Sequence, residues 1–302
     1  MLATLCAGVN IYLAKVISHV NRILLTSIVL LVAGLILMAL DILWGKAVEV
    51  FSYGRRYILE FLWIGIIGTS IPSSLLLYGV ALSPVSNVFL IQTEVVYSMI
   101  LSSILLGEKI GRKQMLSSIL VFLGVLLITT EGELRGMLAG DLMLLFAPLF
   151  FQSAHIVAKR LMQKVSPLIV VTHRLLIGGL MLFASSPLLG INPMNETANM
   201  PHDEIQLIIY MGVGYAIGNA LWYCGIKSVD LSKATAIMTS YPVVTVVLSM
   251  LTLGERPSPI KLVGIIITFI GVLALSLLIT EGRVLTEKQS RCDSAFHHKY
   301  RM

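Results

Sequence analysis

The chain has little charge. Only 13% of its 302 residues are Asp, Glu, Lys or Arg, against 57% hydrophobic, and that balance excludes a soluble globule of this length. Cysteine is scarce as well. Cys6, Cys224 and Cys292 are too few and too scattered for a disulfide framework or a metal motif. Catalytic signatures are missing: there is no His-Glu-x-x-His, no Gly-x-Ser-x-Gly, no glycine-rich phosphate loop ending in lysine, and no pair of intramembrane aspartates. An enzyme is therefore not expected, and no metal or other cofactor is implied. No basic stretch precedes the apolar run from Leu2 to Leu13, so a cleaved signal peptide is not expected and the first span should be retained.

What the chain does have is apolar runs. Crossing about 30 Å of hydrocarbon takes roughly 20 apolar residues per helix. Ten such windows can be drawn, near 2–18, 23–43, 58–79, 85–106, 113–130, 138–158, 167–190, 204–224, 231–253 and 260–280. The expected class is an all-α integral membrane protein whose solvent is the lipid bilayer.

The sequence is also written twice. At an offset of 147, eleven of the thirty-three residues from Glu94 to Leu126 recur, including Gly107 and Glu108 as Gly254 and Glu255, and Gly124 and Val125 as Gly271 and Val272. At 145, Tyr78 meets Tyr223, Gly34 meets Gly179, and Lys15 meets Arg160. The expected units are two five-helix repeats, 1–130 and 138–280, followed by a polar tail, 281–302. The first helix is shorter than its counterpart, which opens with Gly140 and Asp141. Gly214 and Gly218 are spaced for close helix approach, expected inside the fold instead of at a dimer contact. Nothing else selects an oligomeric state.

The net charge of +6 does not imply nucleic acid, because the basic residues are dispersed through short connections. With a cytoplasmic N-terminus, the even-numbered connections and the tail carry sixteen of the twenty-two Lys and Arg, the odd-numbered ones five, and Arg174 lies within a helix. That bias puts both termini in the cytoplasm. An odd number of helices per unit then inverts the second copy in the membrane, the plan of many secondary transporters. The connection 192–203 falls outside and has no Lys or Arg; its Asn195, Glu196, Thr197 triplet reads as a chance match to a glycosylation pattern. His297 and His298 in the tail lack a third ligand and make no metal site.

A charge in mid-membrane needs a partner, a cavity or a proton. Glu94 is such a group, and Asn87, Ser98 and Ser102 share its helix face. The ninth helix repeats this stripe as Thr235, Thr239, Pro242, Thr245, Ser249 and Thr252, with Tyr241 at the place of Glu94. His155 maps onto Asn10, and Asn219 and Tyr223 map onto Ser74 and Tyr78. These matched polar positions suggest a shared central site, although interhelical hydrogen bonds would use the same residue types. Arg174, whose counterpart is Val29, reads either as an anchor for an anionic group or as a pin for helix ends and carbonyls near an interface; the second is the expectation.

These residues resemble the EamA-type members of the drug/metabolite transporter superfamily, built as ten helices in two five-helix repeats. The resemblance rests on Gln92, Thr93 and Glu94 followed by Leu106, Gly107 and Glu108, and in the second copy on Tyr241 and Pro242 followed by Leu253, Gly254 and Glu255, with Trp222, Tyr223, His173 and Arg174 upstream. It covers nearly the whole chain as far as Leu278. Departures are Val95, where the family often has proline, and Val29, where it usually has arginine. The resemblance implies export or exchange of a small molecule by alternating access.

The expectation is accordingly a secondary transporter of the cytoplasmic membrane, moving a small polar or amphipathic metabolite such as an amino acid or derivative. The candidate binding residues are Asn10, Ser74, Tyr78, Glu94, His155, Asn219, Tyr223 and Tyr241, with Arg174 as the candidate anion anchor and Glu94 able to couple a proton. Exchange of phosphorylated compounds or nucleotide sugars would require several deep cations, and only Arg174 qualifies. A non-transporting receptor or assembly protein would bury the same stripe without a cavity.

Overall fold

The computed structural model describes residues 1–17, 20–83, 90–130, 139–198, 200–253 and 257–278, and all regular structure among them is helical. Asn87, Gly254, Glu255, the linker 131–138, the tail with Cys292, His297 and His298, and the side chains of Ser249 and Thr252 lie outside the described residues. The helices are α1 (Leu2–Val16), α2 (Arg22–Leu43), α3 (Ala47–Arg56), α4 (Ile58–Leu82), α5 (Glu94–Leu106), α6 (Arg112–Thr130) and α7 (Ala139–Leu161). They continue as α8 (Pro167–Ser185), α9 (Pro193–Ala198), α10 (His202–Ser228), α11 (Leu231–Met238), α12 (Tyr241–Leu253) and α13 (Pro259–Leu278). Eight stretches are long and apolar enough to cross a membrane, and Leu2–Ala14 and Leu90–Leu106 are shorter apolar helices in the first and fourth expected windows. The chain is a multi-span membrane protein.

Proline and glycine explain most departures from the expected windows. The seventh window was expected to run to 190, but α8 stops at Ser185; Pro187 opens a single 3-10 turn and Gly190, at φ 76°, ends it in the left-handed region. In α4, Pro72 cannot donate a helical hydrogen bond, and the preceding stretch Trp63–Ser70 widens into a π-helix in which Thr69 Oγ1 donates to the Ile64 carbonyl at 3.0 Å. The connection between the second and third windows is not a plain loop: it contains the helix α3.

The pairings between helices recur with the copies exchanged. α1 packs on α12 as α7 packs on α5, α1 on α10 as α7 on α4, and α2 on α10 as α8 on α4. Where α2 meets α8, a Cβ at Gly34 would lie 2.8 Å from Leu176 Cγ, and one at Gly179 would lie 3.0 Å from Leu31 Cγ. Leu31 and Gly34 are the 145-residue counterparts of Leu176 and Gly179, so this contact is reciprocal, as a two-fold relation demands. Gly124 and its counterpart Gly271 both sit where the α6 and α13 backbones touch. Gly214 and Gly218 face Asn10 and Cys6 of α1, so their spacing serves packing within the fold, as expected.

Two polar joints tie connections together. At one, the Asn21 N–H donates to Glu196 Oε2 at 2.8 Å, linking the start of α2 to α9. At the other, Gly107 closes α5 at φ 68°, and Glu108 then reaches the start of α11. Its carboxylate accepts from the backbone N–H of Leu231 at 2.6 Å and of Ser232 at 3.1 Å, and from Ser232 Oγ at 2.7 Å. These are first-turn donors that no helical carbonyl can satisfy. Lys159 Nζ lies 3.1 Å from the same carboxylate and donates to the Val229 carbonyl at 2.7 Å.

Candidate functional site

Glu94 and Tyr241, equivalent at an offset of 147, are each the first residue of a helix. A 3-10 turn over 90–93 precedes α5, with Thr93 Oγ1 donating to the Leu90 carbonyl at 2.6 Å. A turn at Thr239 and Ser240 separates α11 from α12. The first helix therefore passes from 3-10 to α winding at Glu94, and the second is broken just before Tyr241. At the turn before Tyr241 the Thr239 N–H bonds back to the Thr235 carbonyl and the Ser240 N–H to that of Ile237, while Pro242 has no N–H to give.

The carboxylate of Glu94 is held from another helix. Gln152 of α7 donates through Nε2 to Glu94 Oε1 at 2.7 Å and lies 3.5 Å from Thr235 Oγ1, which also accepts from Ser98 Oγ at 3.0 Å. Ser98, Ser102, Gln152 and Thr235 are fully buried or nearly so. The expected stripe on α5 thus faces the interior and meets the stripe of α11, where Thr239 is buried too, and Thr245 on α12 continues it. Tyr241 neighbours both Glu94 and the Gln92 side chain.

Arg174 of α8 is buried, and its partners correct the expectation of a pin for helix ends. Its Nε donates to Thr69 Oγ1 and its Nη1 to the Tyr223 hydroxyl, both at 2.9 Å, while the guanidinium carbon lies 5.4 Å from the Tyr223 ring centroid. Two side-chain hydroxyls, one of them on the π-helical turn of α4, orient the charge. His155 of α7 stands edge-on to Trp222 and Tyr223, with ring centroids 5.4 and 6.1 Å away. Glu94, His155 and Tyr223 all lie within electrostatic range of Arg174, yet Glu94 and Arg174 form no ion pair. The group that holds Glu94 is an amide and not a cation.

The structure therefore brings Glu94, His155, Arg174, Tyr223 and Tyr241 together. It does not draw the other candidates into the same hydrogen-bonded cluster. Asn10 Nδ2 donates to the Cys6 carbonyl, Ser74 Oγ to Ser70 and Asn219 Nδ2 to Tyr215, each within its own helix. Tyr78 is half-buried against the apolar core. Its counterpart Tyr223 gains a cation because Arg174 stands where the first copy has Val29. Gln152 and Thr69 are the residues that sequence reasoning missed. Gln152 had one available signal, a buried-type amide three residues before His155 in an apolar helix; Thr69 had none, since its role depends on the π-helical turn.

Three buried polar atoms here have no partner among the described residues: the acceptors Gln152 Oε1 and Gln92 Oε1, and His155 Nδ1, which donates or accepts according to its tautomer. Such atoms cost roughly 1–3 kcal/mol each when left unpaired, so the cluster suits a ligand that donates hydrogen bonds. Among the described residues no three His, Cys, Asp or Glu side chains are placed to hold a metal ion. The arrangement can thus present an acid and a guanidinium to one small molecule, with aromatic rings between.

The chain matches the EamA-like transporter family over residues 1–130 and 138–277. It belongs to the EamA-like transporter family. That family is part of the drug/metabolite transporter superfamily. Among relatives, the EamA-type chain is 26% identical over 243 residues to a Bacillus subtilis (strain 168) protein described as the uncharacterized transporter YyaM, covering 78% of this chain and 79% of that one. It is 25% identical over 182 residues to a probable terminal-alkyne amino-acid exporter of Streptantibioticus cattleyicolor, covering 60% of each. A solved structure described only as "Crystal structure of protein" superposes with a TM-score of 0.77 at 15% identity, covering 93% of this chain and 96% of that one. This last likeness concerns the fold alone.

Proposed function

We propose that this EamA-type chain is a secondary transporter, working as an exporter of a small polar or amphipathic metabolite such as an amino acid or a derivative, and that it uses alternating access. The observation that carries this reading is the pairing of Glu94 and Arg174. Opposite charges are buried in one cluster, on helices from both halves, and each is held by neutral groups instead of by the other. A zwitterion matches that arrangement, its ammonium toward Glu94 and the unpartnered acceptors and its carboxylate toward Arg174. The description of one relative as a probable amino-acid exporter supports the same class. A phosphorylated cargo fits less well, because Arg174 is the single cation among the described residues of the site.

The proposed architecture is ten transmembrane helices in two inverted repeats, 1–130 and 138–280, with both termini in the cytoplasm. The reciprocal contacts across Gly34, Leu176, Leu31 and Gly179 support the two-fold relation, and the charge bias supports the orientation. The turn between α11 and α12 beside Tyr241 is consistent with transporters whose broken helices line the site. Glu94 is the group that would bind a proton in exchange for substrate. The test is uptake of a panel of amino acids and derivatives into proteoliposomes with and without a pH gradient. Carriage of amines or zwitterions that depends on the gradient is expected; carriage of phosphorylated compounds only, or of nothing at all, would overturn the assignment.

A further inference from the structure

The helix α3 occupies the short connection between two spans, α2 ending at Leu43 and α4 beginning at Ile58. It cannot leave the membrane boundary, because so short a segment tethers both ends to spans. Its inner face is built for packing: Val50 is buried, and Gly54 lies so close to His173 that a Cβ would sit 2.7 Å from Nε2. Its exposed side carries large apolar residues beside Glu49 and Ser52, more than a solvated loop would show. Val48 is 80% exposed, Phe51 67% and the adjoining Trp44 59%, with Leu43 and Leu59 beside them also exposed. Around this patch stand Lys46, Arg55 and Arg56, the last with its guanidinium 5.4 Å from the Tyr57 ring centroid.

The second copy provides an internal control. At the 145-residue offset, 47–56 corresponds to 192–201, where α9 lies, and that connection carries Glu196 and no Lys or Arg. The same place in the repeat is therefore basic with aromatic and aliphatic side chains in one copy and free of basic charge in the other. In the second copy Glu196 accepts from the Asn21 N–H, whereas the cations of the first copy have no such role in packing among the described residues. Their side is the one expected to face the cytoplasm, where the membrane surface is anionic.

We propose that α3 is an interfacial helix whose exposed face docks on the bilayer surface and binds anionic phospholipid headgroups through Lys46, Arg55 and Arg56. Val48, Phe51 and Trp44 enter the boundary between headgroups and acyl chains, where partly apolar and aromatic side chains are favoured. The cations then lie at the level of the lipid phosphates, and each adds an attraction that salt can screen.

The test uses the full chain in detergent, titrated with short-chain phosphatidylglycerol or phosphatidylcholine and read by thermal unfolding. Phosphatidylglycerol is expected to stabilise the protein selectively, and raised salt to abolish the selectivity. In the variant Lys46→Gln/Arg55→Gln/Arg56→Gln, apparent affinity for phosphatidylglycerol is expected to fall about fivefold for each charge removed. The control Lys113→Gln/Lys164→Gln removes two exposed cations from other connections and should leave it unchanged. Equal stabilisation by the two lipids, or retained selectivity in the triple variant, overturns the proposal. So does an equal loss in the control, which would show a response to overall charge only. Should the triple variant fail to fold, salt dependence in the unaltered chain and the single variant Phe51→Ser, expected to weaken binding of both lipids, decide the matter.

Discussion

Gln152 Nε2 donates to Glu94 Oε1 at 2.7 Å, so the buried acid of the first half is held by an amide of the second half. The bond anchors Glu94 through a neutral amide instead of a cation.

Substituting Glu94→Gln keeps shape and hydrogen bonding but removes ionisation. The variant is expected to accumulate in the membrane like the parent and to lose the pH dependence of transport. Unaltered pH dependence would rule out proton coupling at this position, and failure to fold would show a structural charge. Gln152→Leu, which removes the donor at similar volume, should weaken transport by the worth of a hydrogen bond to a charged group, about 1.5–3 kcal/mol or roughly ten- to a hundredfold.

At Arg174, geometry matters as much as charge. A lysine cannot present two donors at fixed angles to Thr69 Oγ1 and Tyr223 Oη, so Arg174→Lys should reduce transport by tenfold or more, with Tyr223→Phe showing a smaller loss. Equal activity of Arg174→Lys and the parent in proteoliposomes would mean that only a positive charge is needed there.

Glu108 lies outside the spans, with its side chain 6% exposed. Burial alone would raise its carboxyl, but hydrogen bonds from Ser232 Oγ and from the N–H groups of Leu231 and Ser232, with Lys159 nearby, outweigh it and hold the group below its ordinary value. A depressed folded value means stability that is fully present above the unfolded carboxyl value, about 4.3, and is lost as pH falls through the folded one. Glu108→Gln should therefore lower the unfolding temperature in detergent at neutral pH, and the difference from the parent should shrink on acidification below about pH 4. A constant difference down to the lowest accessible pH would argue against an ionised cap on α11.

Two glycines make a packing test. A Cβ on Gly124 would lie 2.6 Å from Thr268 N and 2.8 Å from the Gly264 carbonyl oxygen, backbone atoms that cannot step aside. Gly124→Ala should destabilise the α6 and α13 contact by about 1–3 kcal/mol. Gly225→Ala meets nothing within 4 Å and should be neutral or stabilising by up to about 1 kcal/mol. Thermal unfolding of the two variants side by side measures the contrast.

Orientation can be read by labelling single cysteines in a background lacking Cys6, Cys224 and Cys292. A membrane-impermeant thiol reagent added outside intact cells should modify a cysteine placed at Glu196 but not one at Lys113 or Lys164. The reverse pattern would invert the proposed topology.

The membrane class, the apolar windows and the internal repeat were legible in the residues themselves. Each depends on composition or period, which tertiary contacts do not alter: a run of about 20 apolar residues has no other stable solvent, and a repeated pattern remains visible wherever it folds. Glu94, His155, Arg174, Tyr223 and Tyr241 were legible as candidates because a polar group in such a run is conspicuous. Their partners were not. The bonds from Gln152 to Glu94 and from Arg174 to Thr69 span 58 and 105 residues, and the second depends on a π-helical turn that re-aims one side chain. The α3 helix was missed because its apolar face is shorter than any spanning window. The sequence by itself determined which residues must enter the bilayer and which polar groups must find partners there. Only the tertiary structure decided which partners they found, because that choice rests on helix register and rotation, set by glycine contacts and helix breaks distant in the chain.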